Sequence, residues 1–191
     1  MKTMKRFFTT LCLSGVLLIS LALPTTALDA AFPAYGDGPV EVRIYANYFC
    51  PPCKMLESDI EPLLEELLEK QKIRLTMIDV PAGERALLYN HYFLYALKRE
   101  NNFKRASIVR AMLFDAALVR EILTKEELEA LFRAEGIDYE VFDATVLYPR
   151  FNHYLKEDEL RSTPTLIVVG DGTKNTYTGR GSIIKALEEL L

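Results

Sequence analysis

The chain has no tryptophan, two histidines and three cysteines among its 191 residues. The scarcity of histidine and cysteine narrows the functions open to it. Zinc needs four ligands, or three with an open position. His91 and His153 stand far in sequence from the cysteine pair described below, so neither a metal centre nor another cofactor is expected. Clusters of Lys and Arg interleaved with aromatics are missing. With 27 Asp and Glu against 23 Lys and Arg, an acidic surface excludes nucleic acid as a partner. No internal repeat is present. One cysteine, Cys12, falls in an apolar leader, which leaves Cys50 and Cys53. A stabilising bridge usually joins distant segments, where it restricts the unfolded chain most. This pair closes almost no loop. Stabilisation explains it poorly, and redox exchange explains it better.

The leader decides the compartment. Lys2, Lys5 and Arg6 precede an uncharged stretch from Phe7 to Leu23, Pro24 breaks it, and Thr25-Thr26-Ala27 offers small residues to a signal peptidase. Residues 1–27 read as a secretory signal peptide, with an apolar run just short of what favours a spanning helix. An uncleaved membrane anchor is the alternative. Cleavage implies a periplasmic or otherwise extracytoplasmic protein of about 164 residues. Losing three basic residues takes its formal charge from −4 to about −7. That length suits one domain, or one domain with a sizeable insertion.

Residues 28–39 form a lead-in, Gly/Pro-rich and loose from Ala34 to Pro39. Val40, Val42, Ile44 and Ala46 alternate with Glu41, Arg43 and Tyr45, which predicts a strand with one buried face. Cys50-Pro51-Pro52 cannot continue a ladder, because neither proline has an N–H to give. Proline is tolerated in a first helical turn, so a helix is predicted from Cys50 to about Gln71. Its buried stripe comprises Met55, Leu56, Ile60, Leu63, Leu64, Leu67 and Leu68, and Pro62 should bend it. Ile73, Leu75 and Met77 alternate into a second strand ending near Val80.

Residues 84–158 then read as all-helical. One helix spans Glu84 to about Asn101. A second, from Ala106 to Leu123, carries Ile108, Val109, Met112, Leu113, Ala116 and Val119. A third starts at a Thr124–Glu127 capping box and stops at Gly136. A fourth runs from Asp138 towards Lys156, kinked or divided at Pro149. Tyr89, Tyr92, Phe93 and Tyr95 exceed one buried stripe; they either pack on the core or line a substrate groove. Thr163 to Val169, the turn at Gly170-Asp171-Gly172 and Thr176-Tyr177-Thr178 make a hairpin, and a terminal helix opens at Gly181-Ser182. The order β-α-β, helical block, β-β-α gives an α/β fold: a four-stranded mixed sheet with the block inserted between a βαβ half (40–80) and a ββα half (162–191).

Cys50-Pro51-Pro52-Cys53 at a strand-to-helix junction is a strong signal. Cys50 at the helix start sits near free backbone donors and the positive end of the dipole, which favours its thiolate. Cys53, one turn in, is suited to attack a mixed disulfide at Cys50 and release the partner. The paired prolines remove two first-turn donors, so Cys50 is expected to be less acidic and the disulfide less oxidising than at a site with a central histidine. Thr163-Pro164 either begins an edge strand or holds a cis bond that exposes the Thr163 backbone beside Cys50.

With Phe49-Cys50-Pro51-Pro52-Cys53, Pro62, the Thr163-Pro164 loop and the helical block, the chain resembles the thioredoxin-like superfamily, and most closely its DsbA-type periplasmic branch. The resemblance implies that Cys50 is the nucleophile, Cys53 the resolving cysteine and Pro164 a cis-proline, with Phe49, Pro51, Pro52 and Thr163 supporting them. It implies client proteins with cysteine pairs and a membrane partner that resets the redox state. A monomer is expected. Three positions depart from the family pattern: Pro52 replaces a frequent histidine, Phe49 replaces the usual tryptophan, and Ile44 replaces a buried acid six residues before the nucleophile. Glu41 and Glu57 are charged candidates nearby. The leading functional expectation is oxidation of cysteine pairs in secreted proteins. The alternatives are a periplasmic reductase or isomerase, a dedicated reductase for cytochrome or metalloprotein maturation, and a non-catalytic secreted binding module. About 12 residues before Val40 are too few for the dimerisation region of a dimeric isomerase.

Overall fold

A computed structural model describes residues 29–191. The signal-peptide reading of residues 1–27, Cys12 included, lies outside the described residues. Two parallel strands, β2 (Val40–Ala46) and β3 (Ile73–Asp79), are joined by α1 (Pro51–Glu69). On the other side of β2 lies β4 (Thr165–Gly170), antiparallel, followed by β5 (Thr173–Thr178). A two-residue strand, β1 (Ala34–Tyr35), pairs antiparallel with β3, giving the order β1-β3-β2-β4-β5. The sheet is mixed as expected but has five strands, not four. The lead-in supplies the fifth because Ala31, Phe32 and Tyr35 are buried apolar anchors, and the Met77 N–H donates to the Pro33 carbonyl at 2.9 Å.

In α1 the buried stripe is Cys53, Leu56, Ile60, Leu64 and Leu67, at helical three- and four-residue spacings. The stripe expected from the sequence includes Met55, which is instead 58% exposed, since one residue from Leu56 is about 100° round the helix. Cys50 is the N-cap of the helix, as expected, and Pro62 lies inside without ending it. The insertion holds α2 (Glu84–Arg99), α3 (Phe103–Leu118), α4 (Lys125–Ala134), a 3₁₀ turn at Ala144–Leu147 and α5 (Tyr148–Glu157). The Thr124–Glu127 capping box is present. The expected helix from Asp138 to Lys156 is absent as such: Asp143 caps the 3₁₀ turn, and Pro149 sits in the first turn of α5, where its missing N–H costs nothing. Ile108 and Val119 of the second expected helix are exposed; Ser107 and Arg110 occupy the buried face instead. The terminal helix, α6 (Arg180–Glu188), packs with α1 on one face of the sheet.

Strand β2 is buried on both faces, not one. Val42, Ile44 and Ala46 enter the main core, while Tyr45 joins Ile78 and Ile167 in a second cluster on the other side, against which Phe151, Tyr154 and Leu155 pack. Arg43 is tolerated there, 2% exposed, because Asp158 at the end of α5 accepts from its Nε and Nη2, both at 2.7 Å. The Tyr45 hydroxyl also donates to Asp158, and Lys174 lies 3.3 Å away. Burial raises the Asp158 carboxyl, but the hydrogen bonds from Arg43 and Tyr45 and the charge of Arg43 outweigh it, leaving the pKa below the usual carboxylate range. The ionised form thus stabilises the fold above the unfolded-chain value of about 3.9, and that contribution is lost as pH falls through the lower native value. Asp158→Ala should cost about 1.5–3 kcal/mol near neutrality, because the buried Arg43 loses its bidentate partner and keeps only Glu41 and Glu157 among the described residues. Urea unfolding between about pH 6 and about pH 2 checks the second part: the variant should lose stability on acidification less steeply than the parent.

Candidate active site

Parallel strands β2 and β3 end at the same edge of the sheet. The antiparallel register Tyr45↔Thr165 brings the start of β4 to that edge too. The segment entering α1 therefore meets the loop entering β4, although the two are 113 residues apart. Asn47 shapes the entry. Its Oδ1 accepts from the Phe49 N–H at 2.8 Å, and its Nδ2 donates to the Val80 carbonyl at 2.7 Å.

Cys50 and Cys53 are joined by a disulfide, with their Cα atoms 5.3 Å apart. Cys50 is extended at the helix cap, and its sulfur accepts from the Cys53 N–H at 3.3 Å. Pro51 and Pro52 stand between them with no N–H, so this donor is the first that the turn can offer. Cys53 is 1% exposed, whereas Cys50 is half-buried beside exposed Pro51 and Pro52. An incoming sulfur can therefore reach Cys50 and not Cys53. The Thr163–Pro164 bond is cis, and the Thr163 carbonyl oxygen lies 3.6 Å from Cys50 Sγ. Phe49 packs edge-on against Tyr89 at 5.1 Å, with the Arg85 guanidinium 5.4 Å from its ring centre. All seven residues singled out in the sequence, Phe49 to Cys53 with Thr163 and Pro164, thus gather at one place.

The histidines do not join them: His91 bonds Tyr148, and His153 pairs with Glu157. Ile44 is a core residue between Met77 and Leu166. Tyr89, Tyr92 and Phe93 are buried, and Tyr95 packs on Phe142 at 5.6 Å. None of the four lines the groove at Cys50. Glu41 is spent on Arg43 and Arg74.

Glu57 leads to a feature missed in the sequence. One turn beyond Cys53, its carboxylate accepts from Arg110 Nε at 2.6 Å and Nη2 at 3.0 Å. Arg110 is wholly buried and also donates to Asp79, which accepts from the Tyr48 hydroxyl at 2.8 Å. Phe93 and Phe114 lie 5.9 and 5.6 Å from the guanidinium, within cation–π range. Burial opposes the Arg110 charge, but Asp79 and Glu57 more than compensate and keep it protonated. Burial holds the Asp79 carboxyl above its ordinary range despite Arg110 and Tyr48. One signal was available: Arg110 falls between Val109 and Leu113 on an apolar helix face, where a charge needs a partner.

The family comparison agrees with this geometry. The family described as Thioredoxin matches residues 35–186. The chain belongs to the thioredoxin family. No curated protein matches it in sequence. Solved structures share the fold at low identity. A periplasmic thioredoxin-like protein from Salmonella enterica serovar Typhimurium has a TM-score of 0.60 at 20% identity, over 86% of this chain and 91% of that one. The catalytic domain of Proteus mirabilis ScsC gives 0.60 at 20%, over 86% and 92%. Wolbachia pipientis alpha-DsbA1 gives 0.60 at 12%, over 83% and 90%. In this thioredoxin-family chain the disulfide stands at a helix start, one sulfur accessible and one covered, an arrangement suited to thiol–disulfide exchange.

Arg110→Ala should strand Asp79 and Glu57 in the interior and destabilise the protein by about 3–5 kcal/mol. Tyr48→Phe, which removes one neutral donor from Asp79, should cost about 1–3 kcal/mol. Chemical denaturation of both variants tests the ranking.

Proposed function

We propose that the protein is an exported thiol–disulfide oxidoreductase that oxidises cysteine pairs in secreted proteins. The observation that carries this reading is the Cys50–Cys53 disulfide at the start of α1, with Cys50 beside the Thr163 carbonyl. A client thiolate attacks Cys50 Sγ, the Cys50–Cys53 bond breaks, and Cys53 leaves as a thiolate that takes up a proton. The second client thiolate attacks the client sulfur of the mixed disulfide and releases Cys50. Two electrons pass from the client, which gains a disulfide, to the Cys50–Cys53 pair, which becomes a dithiol. Phe49, Pro51, Pro52, Thr163 and Pro164 support the exchange by shaping the surface around Cys50.

The chain acts in the periplasm or another extracytoplasmic space as a monomer, after loss of residues 1–27, and a membrane partner returns the pair to the disulfide. Residues 28–39 lead in, 40–80 and 162–191 form the two halves of the catalytic unit, and 84–158 form the insertion. Residues Lys2 to Ala27 support the compartment by their signal-peptide pattern. The paired prolines favour a second reading, a reductase or isomerase, because they withhold two donors from the Cys50 anion.

In Cys53→Ala the free Cys50 thiolate should attack a client disulfide, displace one client sulfur as a thiolate and accumulate as a mixed disulfide, and Cys50→Ala should form none and oxidise nothing; non-reducing electrophoresis after acid trapping reads both. Equilibration with glutathione should give a potential clearly more negative than the ~−120 mV of a strong oxidant. A value near ~−270 mV would assign the protein to reduction instead.

A further inference from the structure

We infer that the groove at Cys50 selects client segments carrying a carboxylate near the reacting cysteine, with Arg161 as the specificity-determining residue. This rests on the oxidoreductase reading. The groove, of about 390 Å³, runs between Val80 and Ala82 on one side and Leu160 and Thr163 on the other, beside Cys50. Arg161 is its one charged lining residue. Asn47 also lines it, but both ends of its amide are already committed within the chain.

Arg161 is exposed and makes no hydrogen bond or ion pair among the described residues. Seven other arginines hold a carboxylate. Its backbone is nevertheless well placed. Three residues earlier Asp158 is clamped by Arg43, and on the other side the Thr165 hydroxyl bonds the Ser162 carbonyl at 2.8 Å. A cation with no internal partner thus stands on a braced loop, two residues from the Thr163 carbonyl that touches Cys50.

A second depression, of about 380 Å³, meets the first at Ala82 and is lined by Phe49 and Arg85. Arg85 lies over the Phe49 ring and has no carboxylate partner among the described residues, although Glu84 lines the same depression. An extended segment crossing Cys50 would meet an arginine on either side. The occupant that fits is a cysteine-bearing peptide with flanking Asp or Glu. The acidic surface elsewhere sharpens the choice: such a client is repelled by most of the molecule and attracted where its sulfur must dock.

The test uses the oxidised mature protein and two peptides with the same cysteine pair, one flanked by Asp and the other by Lys. Single-turnover oxidation is followed by acid quench and chromatography. The Asp peptide should react about 5- to 10-fold faster at low ionic strength. The difference should shrink as salt rises from about 0.01 M to about 1 M, where the Debye length falls from about 30 Å to about 3 Å. Arg161→Glu should reverse the order and speed the Lys peptide, a gain that a damaged protein cannot produce. Equal rates in the parent, or an order unchanged in Arg161→Glu, would overturn the inference while leaving the oxidoreductase reading intact. If dithiothreitol and both peptides fail to reduce the Cys50–Cys53 bond, both readings fall.

Discussion

The Arg110 guanidinium is the point on which the two parts of the molecule depend. It comes from the inserted helices, yet its partners are Glu57 of α1 and Asp79 at the end of β3. A buried cation requires such company, because removing a charge from water costs several kcal/mol that only close, well-aligned partners return. The consequence is geometric. The first turns of α1, the end of β3 and the Tyr48-Phe49 approach to Cys50 share one electrostatic knot, with Phe93 and Phe114 around it. The cysteine pair therefore sits above an interior that is fixed in position and carries two carboxylates against one arginine.

In the proposed function Cys50 owes its reactivity to where the helix begins. Two prolines set the backbone of the first turn and withhold their donors, so the sulfur relies on the Cys53 amide. The same short spacing that makes the bridge a poor clasp for the fold makes it a good exchanger: opening it releases little chain. On the opposite side, the Arg43–Asp158 clamp fixes the end of α5 and hence the loop carrying Thr163 to the cysteine. Each side of the site is anchored by a different buried ion pair, one on each face of the sheet.

How legible was this in the residues? The cysteine motif, the proline that follows Thr163 and the order of strands and helices are local signals, and they led to the mixed sheet and the helical insertion. Three things were illegible for physical reasons. Strand β1 is two residues long and depends on Phe32 and Tyr35 packing, which no periodicity can reveal. The second buried face of β2 is hidden because Arg43 and Tyr45 look like solvent-facing residues until α5 and Asp158 cover them. The Arg110 cluster draws its members from positions 48, 57, 79 and 110, so only tertiary structure unites them. Met55, Ile108 and Val119 failed in the opposite sense, as apolar residues that the packing leaves outside.

The separation between Cys50 and Thr163 has a bearing on how the protein comes into being. Cys50 and Cys53 can join as soon as their short segment reaches an oxidising space, with no other cysteine between residues 29 and 191 to compete. The surface around Cys50 is finished only when the β4 hairpin arrives, after the whole inserted block. If the protein is exported as proposed, the chain would carry a closed bond well before it has a docking face. On that reading a newly emerging copy would be chemically armed but unable to engage the proposed clients until its C-terminal strands pair with β2.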